Sequence, residues 1–249
     1  MYTRKLTKHI MENINLKTKD KITIAINHYA NGHDEVVIVA PGWCMTKDSS
    51  AFRQISEMFA GHFDVISFDF RGHGKSGGTY TFTSKEIMDM DAVVRFARKN
   101  KYSKIYLAGF SLGAAMSIIY SSKSQFINKV IAVSAPADFD RIENQMWKKE
   151  AWLETFKKFE FKRFASIRFY PIPLRKIKPI DMVDKIKAPT LFIAGESDPT
   201  VHPWHTKELY RKAVCPKEYK EYSKGYHAED LFLYFKDDFT KLCINWLKD

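Results

Sequence analysis

Ser111 is the residue whose type and setting point most clearly to chemistry. It is the middle residue of the pentapeptide GFSLG at 109–113, which follows the apolar run Lys104–Ala108 and opens the helix-like segment Leu112–Tyr120. A serine between two such glycines, on a tight turn from a strand into a helix, is typical of a nucleophile held above a sheet. The helix N-terminus beside it favours developing negative charge. The pattern therefore predicts that Ser111 is a catalytic nucleophile.

A serine hydroxyl needs a general base to take its proton, and the base needs a carboxylate to orient it. Downstream of Ser111, both Asp198 and His227 come shortly after short apolar or alternating runs that predict strands. The sequence thus predicts a catalytic triad of Ser111, His227 and Asp198. Asp138 is an alternative acid. It follows the predicted strand Lys129–Ser134, and Asp198 follows the next predicted strand, Thr190–Ala194.

Alternating strands and helices are expected to position these residues. The predicted strands are His9–Lys17, Lys21–Tyr29, Val36–Ala40, Asp64–Phe70, Lys104–Ala108, Lys129–Ser134, Thr190–Ala194 and Lys217–Tyr222. The predicted helices are Ser50–Ala60, Lys85–Asn100 (capped by Ser84), Leu112–Tyr120, Pro203 to about Val214, and Glu229–Leu247. The first two strands form a hairpin, and most of the later ones are apolar runs that fit a parallel sheet buried on both faces. In such sheets, ligands bind beyond the carboxyl ends of the strands.

The order of serine, aspartate and histidine after successive strands resembles that of the α/β-hydrolase superfamily, over the chain from about residue 20 to the end. The segment Asp69–Ser76, with the sequence DFRGHGKS, resembles a turn of monoglyceride-lipase-like and feruloyl-esterase-like small hydrolases, in which Arg71 and His73 are expected to be structural. The resemblance implies an α/β-hydrolase fold: a mostly parallel central sheet flanked by helices, with an inserted lid.

The resemblance also implies where an oxyanion would be held. Its donors would be the backbone N–H groups of Trp43, in the loop after the first buried strand, and of Leu112, the residue after the nucleophile. Pro41 departs from the histidine that many members carry before the loop glycine. The departure leaves the main-chain donor of Trp43 in place but affects the geometry around it.

Length and composition favour one folded domain, residues 1–249. The chain is 45% hydrophobic and 28% charged, too apolar for a disordered protein. None of its apolar runs approaches the roughly 18 residues of a membrane span. Three widely spaced cysteines (Cys44, Cys215 and Cys243) and the lack of a secretory signal lead us to expect a cytoplasmic protein.

One stretch is too long for a crossover helix, and we expect residues 136–186 to form a lid inserted in the domain. Trp147–Ile180 holds ten basic and three acidic residues of a chain whose net charge is +11. Four aromatic residues are predicted to contact substrate from the lid: Trp147, Trp152, Phe156 and Phe159. The basic residues would form a solvated face, attract an anionic substrate, or contact an anionic membrane surface.

These features together predict a serine esterase that forms a covalent acyl-enzyme from a small-molecule ester substrate. A thioesterase or an acyltransferase would use the same triad, and a ligand-binding protein on a hydrolase scaffold is the alternative from another class. We expect no metal and no cofactor, since His202 and His205 form the only close histidine pair and lack a third ligand. We expect neither nucleic-acid binding nor stable membrane association, and the sequence does not indicate an oligomeric state.

Overall fold

The structure is a computed structural model that describes residues 11–142, 167–171 and 174–249. Its strands are β1 (Met11–Lys17), β2 (Thr23–Tyr29), β3 (Glu35–Ala40), β4 (Asp64–Phe68), β5 (Lys104–Phe110), β6 (Lys129–Val133), β7 (Thr190–Gly195) and β8 (Lys217–Tyr222). They form one sheet in the order β1-β2-β4-β3-β5-β6-β7-β8. β2 is antiparallel to both β1 and β4, and every other neighbouring pair is parallel. The mostly parallel sheet predicted from the sequence is confirmed.

The helices cover both faces of this sheet. They are α1 (Ser50–Ala60), α2 (Ile87–Lys99), α3 (Leu112–Ser121), α4 (Pro203–Lys212), α5 (Glu229–Tyr234) and α6 (Lys236–Lys248). Short 3-10 turns lie at Phe139–Arg141, Pro179–Asp181 and Val183–Lys185. The parallel strands predicted as apolar runs have side chains in two cores. Val36 and Ile38 pack in the core with α2, α3 and α4, whereas Val37 and Val39 pack in the core with α1, α5 and α6, as the two-residue period of a strand requires.

Two helix predictions were wrong in detail. The segment predicted as one helix from Glu229 to Leu247 divides at Phe235, whose φ of −119° and ψ of 38° are not helical. Ser84 does not cap α2, because its hydroxyl donates to the carbonyl oxygen of Arg175 at 2.6 Å. The residue that precedes α2 is Glu86, whose carboxylate accepts from the backbone N–H of Thr81 at 2.7 Å.

The two ends of the predicted lid, residues 136–186, lie side by side. The N–H of Ile180 donates to the carbonyl oxygen of Ala137 at 3.0 Å. Ion pairs join Asp138 to Lys178 at 2.8 Å and Asp140 to Lys176 at 2.6 Å. The four aromatic residues predicted to contact substrate from the lid lie outside the described residues: Trp147, Trp152, Phe156 and Phe159. Across the ranges given above, no helix is both long and apolar enough to cross a membrane.

Candidate active site

Ser111 stands on a strained turn between β5 and α3. Its φ of 51° and ψ of −112° are rare for a residue with a side chain. The two glycines of the pentapeptide make the turn possible, because a Cβ on Gly109 would lie 2.3 Å from the carbonyl oxygen of Gly113. A Cβ on Gly113 would lie 2.0 Å from the carbonyl oxygen of Ala40, at the end of β3. The structure therefore has the elbow geometry that the sequence pattern predicts.

Asp198 and His227 are in direct contact. The Nδ1 of His227 lies 2.7 Å from Oδ2 of Asp198, whose side chain is fully buried, while the imidazole is 17% exposed. The other carboxylate oxygen of Asp198 accepts the backbone N–H groups of Thr200 and Val201, each at 2.9 Å. These bonds hold the carboxylate in one orientation, so that His227 can donate from Nδ1 and use Nε2 as a base.

Asp138, the alternative acid, forms hydrogen bonds with other groups. One of its oxygens accepts from the Lys178 ammonium at 2.8 Å and the other from the backbone N–H of Asp140 at 2.9 Å. Because both of its oxygens have other partners, Asp138 is not placed to orient His227. The structure brings Asp198, and not Asp138, to the histidine.

The loop after β3 runs beside the nucleophile. A Cβ on Gly42 would lie 3.4 Å from the Cβ of Ser111, so the two segments lie side by side. Neither Trp43 nor Leu112 donates its backbone N–H to an acceptor within the described part of the chain. Leu112 is the first residue of α3, and the first N–H groups of a helix have no acceptor within it. Both predicted oxyanion donors thus lie in segments next to the elbow.

Buried polar contacts anchor this loop, and sequence analysis missed them. The backbone N–H groups of Lys47 and Lys75 both donate to the carboxylate of Asp69, each at 2.8 Å. Burial raises the pKa of Asp69 to about 6. The Lys47 ammonium is also buried, and donates to Asn27 at 2.8 Å and to Asp48 at 2.9 Å. Asp69 begins the segment DFRGHGKS, which the sequence analysis singled out, and Lys75 lies in the same segment. Nothing in that segment indicates the contact with Lys47.

Arg71 and His73 are both buried in the same segment. The Arg71 guanidinium pairs with Asp89 and with Asp20, each at 2.8 Å. His73 has its Nδ1 3.1 Å from the carbonyl oxygen of Arg71, and burial lowers its pKa to about 4. Their contacts are with the protein framework, in keeping with the structural roles expected from the sequence.

An aromatic cluster, which we define as Trp43, Tyr80, Phe82 and Phe169, lies against the loop after β3. Phe169 is 6.4 Å from Trp43 between ring centroids, and stacks with Phe82 at 6.2 Å and 22°. Phe169 is held there because the segment around it pairs with Tyr80, whose N–H donates to Arg168 and whose carbonyl accepts from Tyr170. With 46% of its surface exposed, Phe169 offers an apolar face next to the predicted oxyanion loop.

Much of the basic charge that the structure describes in Trp147–Ile180 is already satisfied. The Lys176 and Lys178 ammonium groups form the ion pairs described above. The Arg168 guanidinium donates to the carbonyl oxygens of Ser76 and Gly78. Three of the four basic residues described in this segment therefore have protein acceptors, and only Arg175 is not among them. The described ranges also contain no group of three histidine, cysteine or carboxylate side chains able to hold a metal ion.

Comparison with known proteins gives consistent matches. A family model described as alpha/beta hydrolase fold matches residues 35–179. The human serine hydrolase BPHL is 23% identical over 235 residues, covering 86% of this chain and 80% of that protein. YqkD of Bacillus subtilis is 28% identical over 172 residues, covering 66% of this chain, which spans only 56% of its length.

Solved structures extend the similarity over nearly the whole chain. The esterase Pf2001 of Pyrococcus furiosus superposes with a TM-score of 0.81 at 27% identity, covering 99% of this chain and 94% of the esterase. Est1E of Butyrivibrio proteoclasticus, solved with ferulic acid bound, has a TM-score of 0.70 at 18% identity, with 94% and 99% coverage. At that identity, the second match bears on the fold alone.

Proposed function

The chain belongs to the alpha/beta-hydrolase family, and on that premise we propose that it is a serine hydrolase that cleaves carboxylic esters through a covalent acyl-enzyme. The observation that carries the proposal is the 2.7 Å contact between His227 and the buried carboxylate of Asp198, in a fold that also presents Ser111 on a strained elbow. The similarity to the Pyrococcus furiosus esterase supports an ester as the substrate.

In the proposed mechanism, the Ser111 hydroxyl attacks the acyl carbonyl while Nε2 of His227 takes its proton. Asp198 holds the imidazole in the required tautomer and stabilises its positive charge. The backbone N–H groups of Trp43 and Leu112 would donate to the oxyanion, and each such donor is worth about 10²–10³ in rate. His227 then protonates the leaving alkoxide, and afterwards activates the water that hydrolyses the acyl-enzyme.

We propose that the acyl or aryl part of the substrate binds against the aromatic cluster, which adjoins the Trp43 donor. Phe82 and Phe169 present stacked rings there, and an apolar substituent would lose water contact against them. The lid over residues 136–186, with Trp147, Trp152, Phe156 and Phe159, would contribute further apolar contacts. The substrate is a small-molecule ester, and the mechanism uses no cofactor.

The direct test is the Ser111→Ala variant. We expect it to lose about 10⁶-fold in kcat for short aryl esters, and to resist a fluorophosphonate probe that labels the wild-type protein. Ser122→Ala is the matched control, since Ser122 caps the far end of the helix that Ser111 begins. A Ser111→Ala protein with undiminished turnover would overturn the proposal. Parallel assays with acyl thioesters and with alcohol acceptors separate an esterase from a thioesterase or an acyltransferase.

A further inference from the structure

We propose that Ser134 is a positioning residue for the histidine: its hydroxyl fixes the backbone next to His227 and so keeps the imidazole aligned with Ser111. The inference rests on the proposed function. It assigns a role to a residue that no motif in the sequence indicates.

Ser134 occupies a central place in the sheet. It follows β6, which lies between β5, the strand that leads to Ser111, and β7, the strand that leads to Asp198. Its own N–H donates to Ile193 in β7 at 2.8 Å. The residue before it, Val133, accepts the N–H of Ser111 at 2.9 Å. Ser134 is therefore fixed relative to both the proposed nucleophile and the strand of the proposed acid.

The hydroxyl of Ser134 reaches the loop between β8 and α5, residues 223–228, which we call the histidine loop. Its oxygen accepts the backbone N–H of Ala228, the residue after His227, at 3.0 Å. Both residues are buried, Ser134 at 1% exposure and Ala228 at 0%. The two residues are 94 positions apart in the chain, so this bond links the histidine loop to the end of β6.

Both ends of this bond are strained. Ser134 and Ala228 each have a φ of 48°, in the region that side chains disfavour. Strain of this kind costs about 1–3 kcal/mol per residue and persists only where the surrounding structure enforces it. The buried bond joins two strained residues, and one of them adjoins the proposed base. We therefore infer that the fold enforces the position of His227.

Hydrogen bonds hold the chain on both sides of His227. On the N-terminal side of His227, the N–H of Ser197 donates to Gly225 at 2.9 Å. On the C-terminal side, the Ser134 hydroxyl accepts the N–H of Ala228 at 3.0 Å. Without that hydroxyl, His227 would keep its bond to Asp198 but shift relative to Ser111. Misplacement by about 1 Å can cost about 10²-fold in rate, and it acts on kcat because substrate binding does not involve the bond.

Two substitutions separate positioning from folding. Ser134→Ala and Ser134→Gly both remove the acceptor, but glycine also relieves the strain at a φ of 48°. We expect both variants to lose about 10- to 100-fold in kcat for a short aryl ester with KM changed less than twofold. We also expect fluorophosphonate labelling of Ser111 to slow in proportion. The melting temperature of Ser134→Gly should equal or exceed that of Ser134→Ala.

The control is Ser121→Ala, which removes a buried hydroxyl that has no partner within the described residues, and it should keep wild-type kcat. Wild-type kcat in Ser134→Gly would overturn the inference, as would an equal loss of kcat in Ser121→Ala. Failure of the proposed function is a separate result, since the wild-type protein itself would then not be labelled at Ser111.

Discussion

Two aspartates follow neighbouring strands, and one hydrogen bond distinguishes them. Asp198 contacts His227 at 2.7 Å, while Asp138 is held by Lys178 at 2.8 Å. From the sequence alone both were candidates, because each follows one of two successive predicted strands and the resemblance allows the acid to follow either. The sequence did not indicate the ion pair of Asp138, because it forms with a residue 40 positions away.

Replacing each aspartate by asparagine tests this distinction. We expect Asp198→Asn to lower kcat by about 10⁴-fold, because an asparagine there stabilises the wrong histidine tautomer and cannot stabilise the imidazolium. Asp138→Asn should reduce kcat less than threefold, since it only breaks an ion pair whose lysine is 38% exposed. Steady-state kinetics with one short aryl ester measures both. Equal losses would show that Asp198 is not the orienting acid.

Residue types and spacing were enough to predict Ser111, Asp198 and His227 as a set, because each lies in or next to a recognisable local pattern. Ser134 and Ala228 had no such signal, since their contact joins positions 94 residues apart. The contact of Lys47 with Asp69 had no such signal either, although it fixes the loop that carries Trp43. Long-range polar contacts depend on the finished fold, so sequence patterns do not show them.

At the scale of elements, the sequence pattern predicted all eight strands and the regions of all six α-helices that the structure describes, with α5 and α6 predicted as one helix and ends shifted by a few residues. The three 3-10 turns were not predicted. The errors have local physical causes. Phe235 breaks the last predicted helix because its backbone leaves the helical region, and Ser84 is diverted from capping by a bond to Arg175. Neither cause is visible in the hydrophobic pattern, because the first is a change of backbone angles at one residue and the second is a bond between positions 91 residues apart.

The packing at the elbow between β5 and α3 predicts that alanine costs far more stability at Gly113 than at Gly61. Gly113→Ala should lower the free energy of unfolding by about 3 kcal/mol or more, because its Cβ would lie 2.0 Å from the Ala40 carbonyl oxygen. Gly61→Ala is the matched control, since Gly61 has a φ of −70° and its nearest neighbour would be 3.6 Å from the new Cβ. Urea unfolding measures both variants. Similar stability in the two would contradict the packing seen at the elbow.

For the whole molecule, the buried His73 predicts sensitivity to acid. Burial lowers its pKa from 6.5 to about 4, so between those values the unfolded chain binds a proton that the folded protein excludes. The part of the stability that depends on neutral His73 is therefore full above pH 6.5 and falls as the pH drops toward 4, by up to about 3 kcal/mol at about 1.36 kcal/mol per pKa unit. Burial also lowers the pKa of His205 to about 4, which adds a loss in the same pH range. Denaturant unfolding from pH 7.5 to 4.5 measures the loss. His73→Asn should make the loss smaller without abolishing it, because His205 still contributes, whereas the exposed His33→Asn should leave the loss as in the wild-type protein.

The surplus of positive charge, +11 over the chain, gives a second prediction at this scale. If the segment Trp147–Ile180 attracts anionic esters, raising the salt concentration should increase their KM while that of a neutral ester of equal acyl length stays constant, because salt screens exposed charges over about 10 Å at 0.1 M. The ion pairs of Lys176 and Lys178 remove two of these charges from the expected effect. Parallel responses of both esters to salt would show that the basic residues only face solvent.

The adjacent ends of the segment between β6 and β7 have an evolutionary consequence. Ala137 bonds Ile180 and Asp140 pairs with Lys176, so the two ends of this segment meet at one place on the scaffold. Within the segment, Arg168 and Tyr170 also bond to Tyr80. A segment closed in this way can be lengthened, shortened or exchanged without altering strand register, because doubling the length of a loop costs only about 0.6 kcal/mol in closure entropy. On the proposed function, substrate preference would then diverge by exchange of this segment, while Ser111, Asp198 and His227, which follow other strands, stay unchanged.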